Sequence, residues 1–143
     1  KVQNYCENET ANLILSAFAD KAHKQDISME IKAQIPTMLA VSESDLCVLL
    51  SNALENALHA CMQVQAKGLS AAIDVMAYQQ KDTFFIQIRN SCEDKVEFVN
   101  EIPVTRRAGH GIGVRSICAV VERYGGLYSF SAENGQFILR VSL

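Results

Sequence analysis

Three glycines fall at every second position in residues 108–126, AGHGIGVRSICAVVERYGG: Gly109, Gly111 and Gly113. The apolar residues that follow, Val114, Ile117, Cys118, Val121 and Tyr124, recur at helical spacing. Glycine lets a ligand approach the main chain closely. A glycine turn in front of a helix leaves several N–H groups without intrahelical partners, backed by the positive end of the helix dipole. That arrangement cradles phosphate. A flexible loop before an ordinary core helix has the same pattern, so a second feature must decide. Residues 44–66, SDLCVLLSNALENALHACMQVQA, supply one. Leu46, Leu49, Leu50, Ala53, Ala57, Ala60, Cys61 and Val64 fill one broad apolar face of a helix, and Asn52, Glu55, Asn56, His59 and Gln63 collect opposite. Asparagine prefers caps and turns, so two of them one turn apart in mid-helix call for a reason. Asn56 lies at the seam between the faces, where its amide should be partly buried and oriented.

The elements that must position these residues follow from the rest of the chain. Its 143 residues fit one domain, and a hydrophobic content of 49% is enough to bury a core. A net charge of −3 excludes nucleic acid as the main partner, because binding a phosphate backbone needs a clustered basic surface. The five cysteines, Cys6, Cys47, Cys61, Cys92 and Cys118, are scattered and form no Cys-x-x-Cys pair. They read as reduced thiols. No apolar run approaches the roughly 20 residues of a membrane helix, so no membrane contact is expected of this domain. The chain opens on Lys1 rather than methionine, and we expect a fragment of a longer protein.

Residues 8–25 carry a helical stripe of Ala11, Ile14, Leu15, Phe18 and Ala22. Residues 27–35 alternate as a strand, stopped by Pro36. The asparagine-bearing helix then starts from Ser44 as its N-cap. Strands over 70–78 and 83–90 are joined by residues 80–82, which places Asn90 where a strand leaves the sheet. Residues 91–108 show no period and contain Pro103, Arg106 and Arg107. They read as a loop that forms a lid or binding segment. Gly125 and Gly126 end the last helix, and strands over 127–132 and 136–142 flank an Asn-Gly hairpin turn. This order predicts a two-layer α/β sandwich: a mixed sheet of about five strands covered on one face by three helices.

At this point Asn52-Ala-Leu-Glu-Asn56-Ala and Gly109-His-Gly-Ile-Gly113-Val, separated by two strands and a lid, resemble the asparagine box and second glycine box of the GHKL (Bergerat-fold) ATP-binding domains. The resemblance covers nearly the whole chain. Its short lid and hairpin ending are most similar to sensor histidine kinases of the quorum-sensing and citrate-sensing type. It implies that Asn56 ligates Mg²⁺, that Asn52 faces the same cleft, and that His59 stands where many kinases keep a lysine near the phosphates. It also implies that Gly109, Gly111 and Gly113 wrap the triphosphate, with Ile112 and Val114 in the same box, and that Arg106, Arg107 or His110 adds charge at the lid hinge.

One residue selects a branch, and another departs from the pattern. Hydrolytic members of the superfamily place a glutamate four residues before the metal asparagine; Asn52 stands there and has no useful basicity. The family's first glycine box, Asp-x-Gly-x-Gly, is replaced by Asn90-Ser-Cys-Glu-Asp. Asn90 therefore stands where the resemblance puts the adenine-binding aspartate, as a weaker, neutral acceptor. The resemblance thus implies an ATP- and Mg²⁺-binding catalytic domain of a bacterial histidine kinase. Its partners would be ATP, a phosphoacceptor-histidine dimerisation domain of the same protein and, indirectly, a response regulator. It would be a cytoplasmic domain, with the parent anchored in the cell membrane. A degenerate module acting by protein contact, and a serine kinase of the anti-sigma type, are the alternatives left open by the fold and the missing aspartate.

Overall fold

A computed structural model describes residues 2–93, 95–104 and 110–143, with the main chain alone for 110–112. Arg106, Arg107 and Gly109 lie outside the described residues. Helix α1 runs over Glu9–Lys24, capped by Asn8, whose Oδ1 accepts from the Ala11 N–H at 3.0 Å. Strand β1 (Ser28–Gln34) leads to helix α2 (Glu43–Ala66). The N-cap of α2 is Ser42, whose hydroxyl accepts from the Asp45 N–H at 3.1 Å, and not Ser44 as expected. Both serines suit the role by type; Ser42 has the extended ψ of 154° that a cap requires.

Strands β2 (Ala72–Gln80) and β3 (Thr83–Ser91) form a hairpin. The stretch expected to be an aperiodic lid contains a second, small hairpin, β4 (Phe98–Val99) and β5 (Ile102–Pro103). Its turn residues Asn100 and Glu101 both have positive φ, 52° and 66°, as a tight two-residue hairpin requires. Helix α3 spans His110–Arg123, followed by β6 (Leu127–Glu133) and β7 (Gln136–Ser142) around the expected Asn134-Gly135 turn. Gly111 and Gly113 thus belong to the first turn of α3, not to a loop ahead of it; the unbonded N–H groups are those of the helix start itself.

All three helices end alike, with one left-handed residue just past the end: Asp26 after α1, Gly68 after α2 and Gly125 after α3. For α3 the Gly126 N–H bonds the Val121 carbonyl at 2.9 Å and the Gly125 N–H bonds that of Glu122 at 3.0 Å. Both are orphan carbonyls of the last turn.

The five long strands form one sheet in the order β1-β2-β3-β7-β6. β1 and β2 are parallel because α2 is the crossover between them; every other pair is antiparallel. The expected architecture of three helices on a mixed five-stranded sheet is the one found. Ile73, Val75 and Ala77 of β2, Phe84, Ile86 and Ile88 of β3, and Phe137, Leu139 and Val141 of β7 form the buried face. Helix α2 packs against α1, α3, β2 and β3. Leu54 and Leu58, outside the face expected to be apolar, are buried together with Leu46, Leu49 and Leu50, each contributing roughly 1.5–3 kcal/mol. A wheel drawn for one buried face misses them because α2 has neighbours on both flanks.

Candidate functional site

Asn52, Asn56, His59 and Gln63 lie three and four residues apart, one stripe along α2. All four are half-buried, so the stripe is neither core nor open surface. The Asn52 Nδ2 donates to the Val48 carbonyl at 2.7 Å, leaving Oδ1 directed at α3. A Cβ built on Gly113 would lie 3.2 Å from that oxygen. Gly113 is therefore a point of close approach between α2 and the glycine-rich start of α3, where a side chain would press on the asparagine amide. This brings together two motifs whose contacting residues, Asn52 and Gly113, lie 61 positions apart in the sequence.

Below that contact, Asn56, His59 and Gln63 wall a cavity of ≈ 310 Å³. Val114 of α3 and Phe137 of β7 close it from the other side, and Cys92, Glu93, Lys95 and Glu97 come from the lid root. The charges are mixed: Lys95 against Glu93 and Glu97. The lid root is fastened at two points, by the Cys92 N–H to the Gly135 carbonyl at 2.9 Å and by the Lys67 ammonium to the Glu93 carboxylate at 2.9 Å. Beneath it, burial pushes the Cys61 thiol up to about 11, so this cysteine stays neutral and unreactive at physiological pH. Among the described residues no group of three His, Cys, Asp or Glu side chains could hold a metal ion. A cation here would rest on the Asn56 amide oxygen together with oxygens brought by a ligand and water.

Asn90 does not end a strand, as expected, but sits inside β3, in register with Ile73 and Phe137. The strand is prolonged by Ser91, which pairs with Gln136 of β7 and whose hydroxyl accepts from the Ala72 N–H of β2 at 3.0 Å. Asn90 is 2% exposed and its Nδ2 donates to the Ser91 carbonyl at 2.9 Å. Phe137, directly across the ladder, reaches the cavity wall; Asn90 does not. His110, Gly111 and Ile112 lie in the first turn of α3.

Sequence reading missed the part played by Phe137, Lys95 and the other lid-root side chains. Phe137 was visible as an inward residue of an alternating strand, but its place opposite Asn90 depends on strand order. Also missed was the clamp at the far end of α3. The Tyr124 hydroxyl donates to Asp45 Oδ2 at 2.5 Å and accepts from the Ser42 N–H at 3.0 Å, while Arg123 pairs with the same carboxylate. The Tyr124 hydroxyl beside it, and the Arg123 guanidinium, hold the Asp45 carboxyl below its ordinary range against the opposing effect of desolvation. The signal lay in Ser42 and Asp45, three residues apart at a helix start, but their partners are 78 to 82 positions away.

No curated protein sequence matches the chain. Solved structures match it closely in fold. The catalytic domain of histidine kinase ThkA superposes with a TM-score of 0.73 at 16% identity, covering 95% of this chain and 90% of that one. Mycobacterial sensor histidine kinase MprB gives 0.66 at 17% identity, covering 94% and 93%. The Erythrobacter litoralis EL346 blue-light activated histidine kinase gives 0.71 at 14% identity, and the match spans 94% of this chain but 41% of that kinase. At these identities the likeness is one of fold. The sequence itself is matched over residues 41–143 by the family model described as the GHKL domain, a span that holds both the asparagine stripe and the glycine-rich helix start, and the chain belongs to the GHKL domain family.

Proposed function

We propose that this chain is the catalytic, ATP-binding domain of a bacterial sensor histidine kinase of the quorum-sensing or citrate-sensing type. It forms one domain, residues 1–143, of a longer protein and works on the cytoplasmic side of a membrane-anchored parent. The observation that carries the reading is the contact of Asn52 with Gly113 directly above the cavity that Asn56 lines. It joins the stripe that carries the Asn56 amide, a group suited to a hard cation with oxygen ligands, to a helix start rich in free N–H groups, suited to phosphate.

In this reading Asn56 offers its amide oxygen to Mg²⁺. The main chain from Gly109 to Gly113 donates to the phosphates, Val114 packs beside them, and His59 faces them from α2, with Arg107 and His110 adding charge at the hinge. Bound Mg²⁺-ATP supplies an electrophilic γ-phosphoryl group whose charge is offset by the metal. Asn52 has no basicity with which to activate water, so the domain holds the γ-phosphate for a nucleophile from elsewhere. That nucleophile is a histidine on the parent's dimerisation domain, from which the phosphoryl group passes to a response regulator. Asn90 takes the place of the adenine-accepting aspartate.

A second reading is favoured by one observation. Asn90 is neutral, buried and off the cavity wall, which fits a module that keeps the fold, binds nucleotide poorly and signals by contact. Autophosphorylation of the full-length parent separates the two. The kinase reading predicts incorporation of γ-phosphate that Asn56→Ala reduces at least a hundredfold; incorporation unchanged by the substitution rejects it.

A further inference from the structure

The edge of the sheet formed by β6 is built to accept another strand. Among the described residues β6 is the outermost strand on its side and pairs with β7 alone, with β5 packed close to it. Its turn to β7 has two residues, so the flanking pair Glu133–Gln136 is hydrogen-bonded, and by alternation Tyr128, Phe130 and Ala132 direct their N–H and C=O groups to the open edge. Such an edge is normally blunted by charge or proline. The opposite edge strand, β1, carries Glu30 and Lys32. From Leu127 to Ala132, β6 carries no charged residue and no proline.

A groove runs along this edge. Six consecutive residues, Gly126 to Ser131, line it. Side chains of both parities share one groove only if the main-chain edge itself forms the wall. The facing wall is the tip of the β4–β5 hairpin, with Phe98, Asn100 and Glu101, and Glu122 of α3 stands at the end. Apolar surface is left open here: Leu127 is 74% exposed and Phe98 36%. The charged residues in the groove, Glu101 and Glu122, are both acidic and exposed, and among the described residues no Lys or Arg lines it. A second copy of the chain would bring its own Glu101 and Glu122 against these, so the charge disfavours pairing of like edges; nucleic acid is disfavoured in the same way.

We infer that the β6 edge is a docking site for an extended, basic peptide segment of a partner protein. The segment adds a sixth strand beside β6, its main chain bonding Tyr128 and Phe130. Its Lys or Arg side chains meet Glu101 and Glu122 and lie against Phe98 and Tyr128. This groove shares the β4–β5 hairpin and α3 with the cavity of Asn56 but none of the residues that line that cavity.

The probe is a capped peptide alternating lysine or arginine with valine, titrated into the domain and followed by amide NMR shifts and hydrogen exchange. Expected are shifts confined to residues 98–101 and 122–131, slowed exchange of the Tyr128 and Phe130 amides, and at least tenfold weaker binding to Glu101→Lys/Glu122→Lys, two exposed positions where the fold tolerates a change. An alternating glutamate–valine peptide that binds equally well overturns the proposal. So does basic-peptide binding without protection of those two amides, which marks adhesion by charge alone, and so does concentration-dependent dimerisation through β6 in the absence of peptide.

Discussion

The two ends of α3 meet α2 by opposite means. At its C-terminal end, Arg123 and Tyr124 reach Ser42 and Asp45 at the start of α2 through charge-assisted hydrogen bonds, and Gly126 fits so closely that an added Cβ would lie 2.3 Å from the Ser142 carbonyl. At its N-terminal end, the described contact is a bare main chain, Gly113, against a single amide, Asn52. One end fastens through side chains; at the other, Gly113 brings its main chain close to Asn52. The difference teaches that the two ends of one helix are held in different ways and, in the proposed function, that fold stability and ligand chemistry fall to different turns, so that substitutions should separate them.

The largest effect is expected from Gly126→Ala. Its Cβ meets a main-chain oxygen that cannot swing away, and a loss of about 3 kcal/mol should appear in urea denaturation, at the upper end of what overpacking costs. Gly113→Ala inverts the pattern. The contact at 3.2 Å is with a side chain that can yield, and alanine regains roughly 0.5–1 kcal/mol of helix propensity. Stability should therefore change by less than about 1 kcal/mol while nucleotide affinity, in the proposed function, falls about tenfold as Asn52 is displaced. Equal destabilisation by the two substitutions would break the comparison.

The smallest effect depends on pH. The Asp45 carboxyl is held below its ordinary 3.8 chiefly by the Tyr124 hydroxyl. A depressed carboxyl contributes stability that is present above the unfolded-state value and is lost as the pH falls through the folded one. The stability difference between the native chain and Tyr124→Phe should thus be constant near neutrality and shrink in acid below about pH 4. A difference that persists unchanged in acid would assign the clamp to packing, not to the ionised carboxylate.

Much of this molecule was legible in advance because its patterns are local. Alternation in 27–35, 70–78 and 83–90 gave β1, β2 and β3, and Asn134-Gly135 gave the last hairpin, since periodicity and turn chemistry act over a few residues. The site was legible where two local motifs each carried a demand of their own, mid-helix asparagines and spaced glycines. What stayed hidden depends on distant partners. Leu54 and Leu58 are buried because α2 has helices on both flanks. Asn90 is enclosed because β3 continues to Ser91 and faces Phe137 across the ladder. The β4–β5 hairpin was unreadable because two-residue strands have no period and Pro103 argues against a strand.

The most direct test is a calorimetric titration of the domain with ATP, with and without Mg²⁺, alongside Asn56→Ala in a sample shown to be folded. The account predicts magnesium-dependent binding at micromolar to low-millimolar nucleotide that Asn56→Ala weakens at least tenfold. Absence of binding at several millimolar nucleotide, or binding indifferent to both magnesium and Asn56, would contradict it.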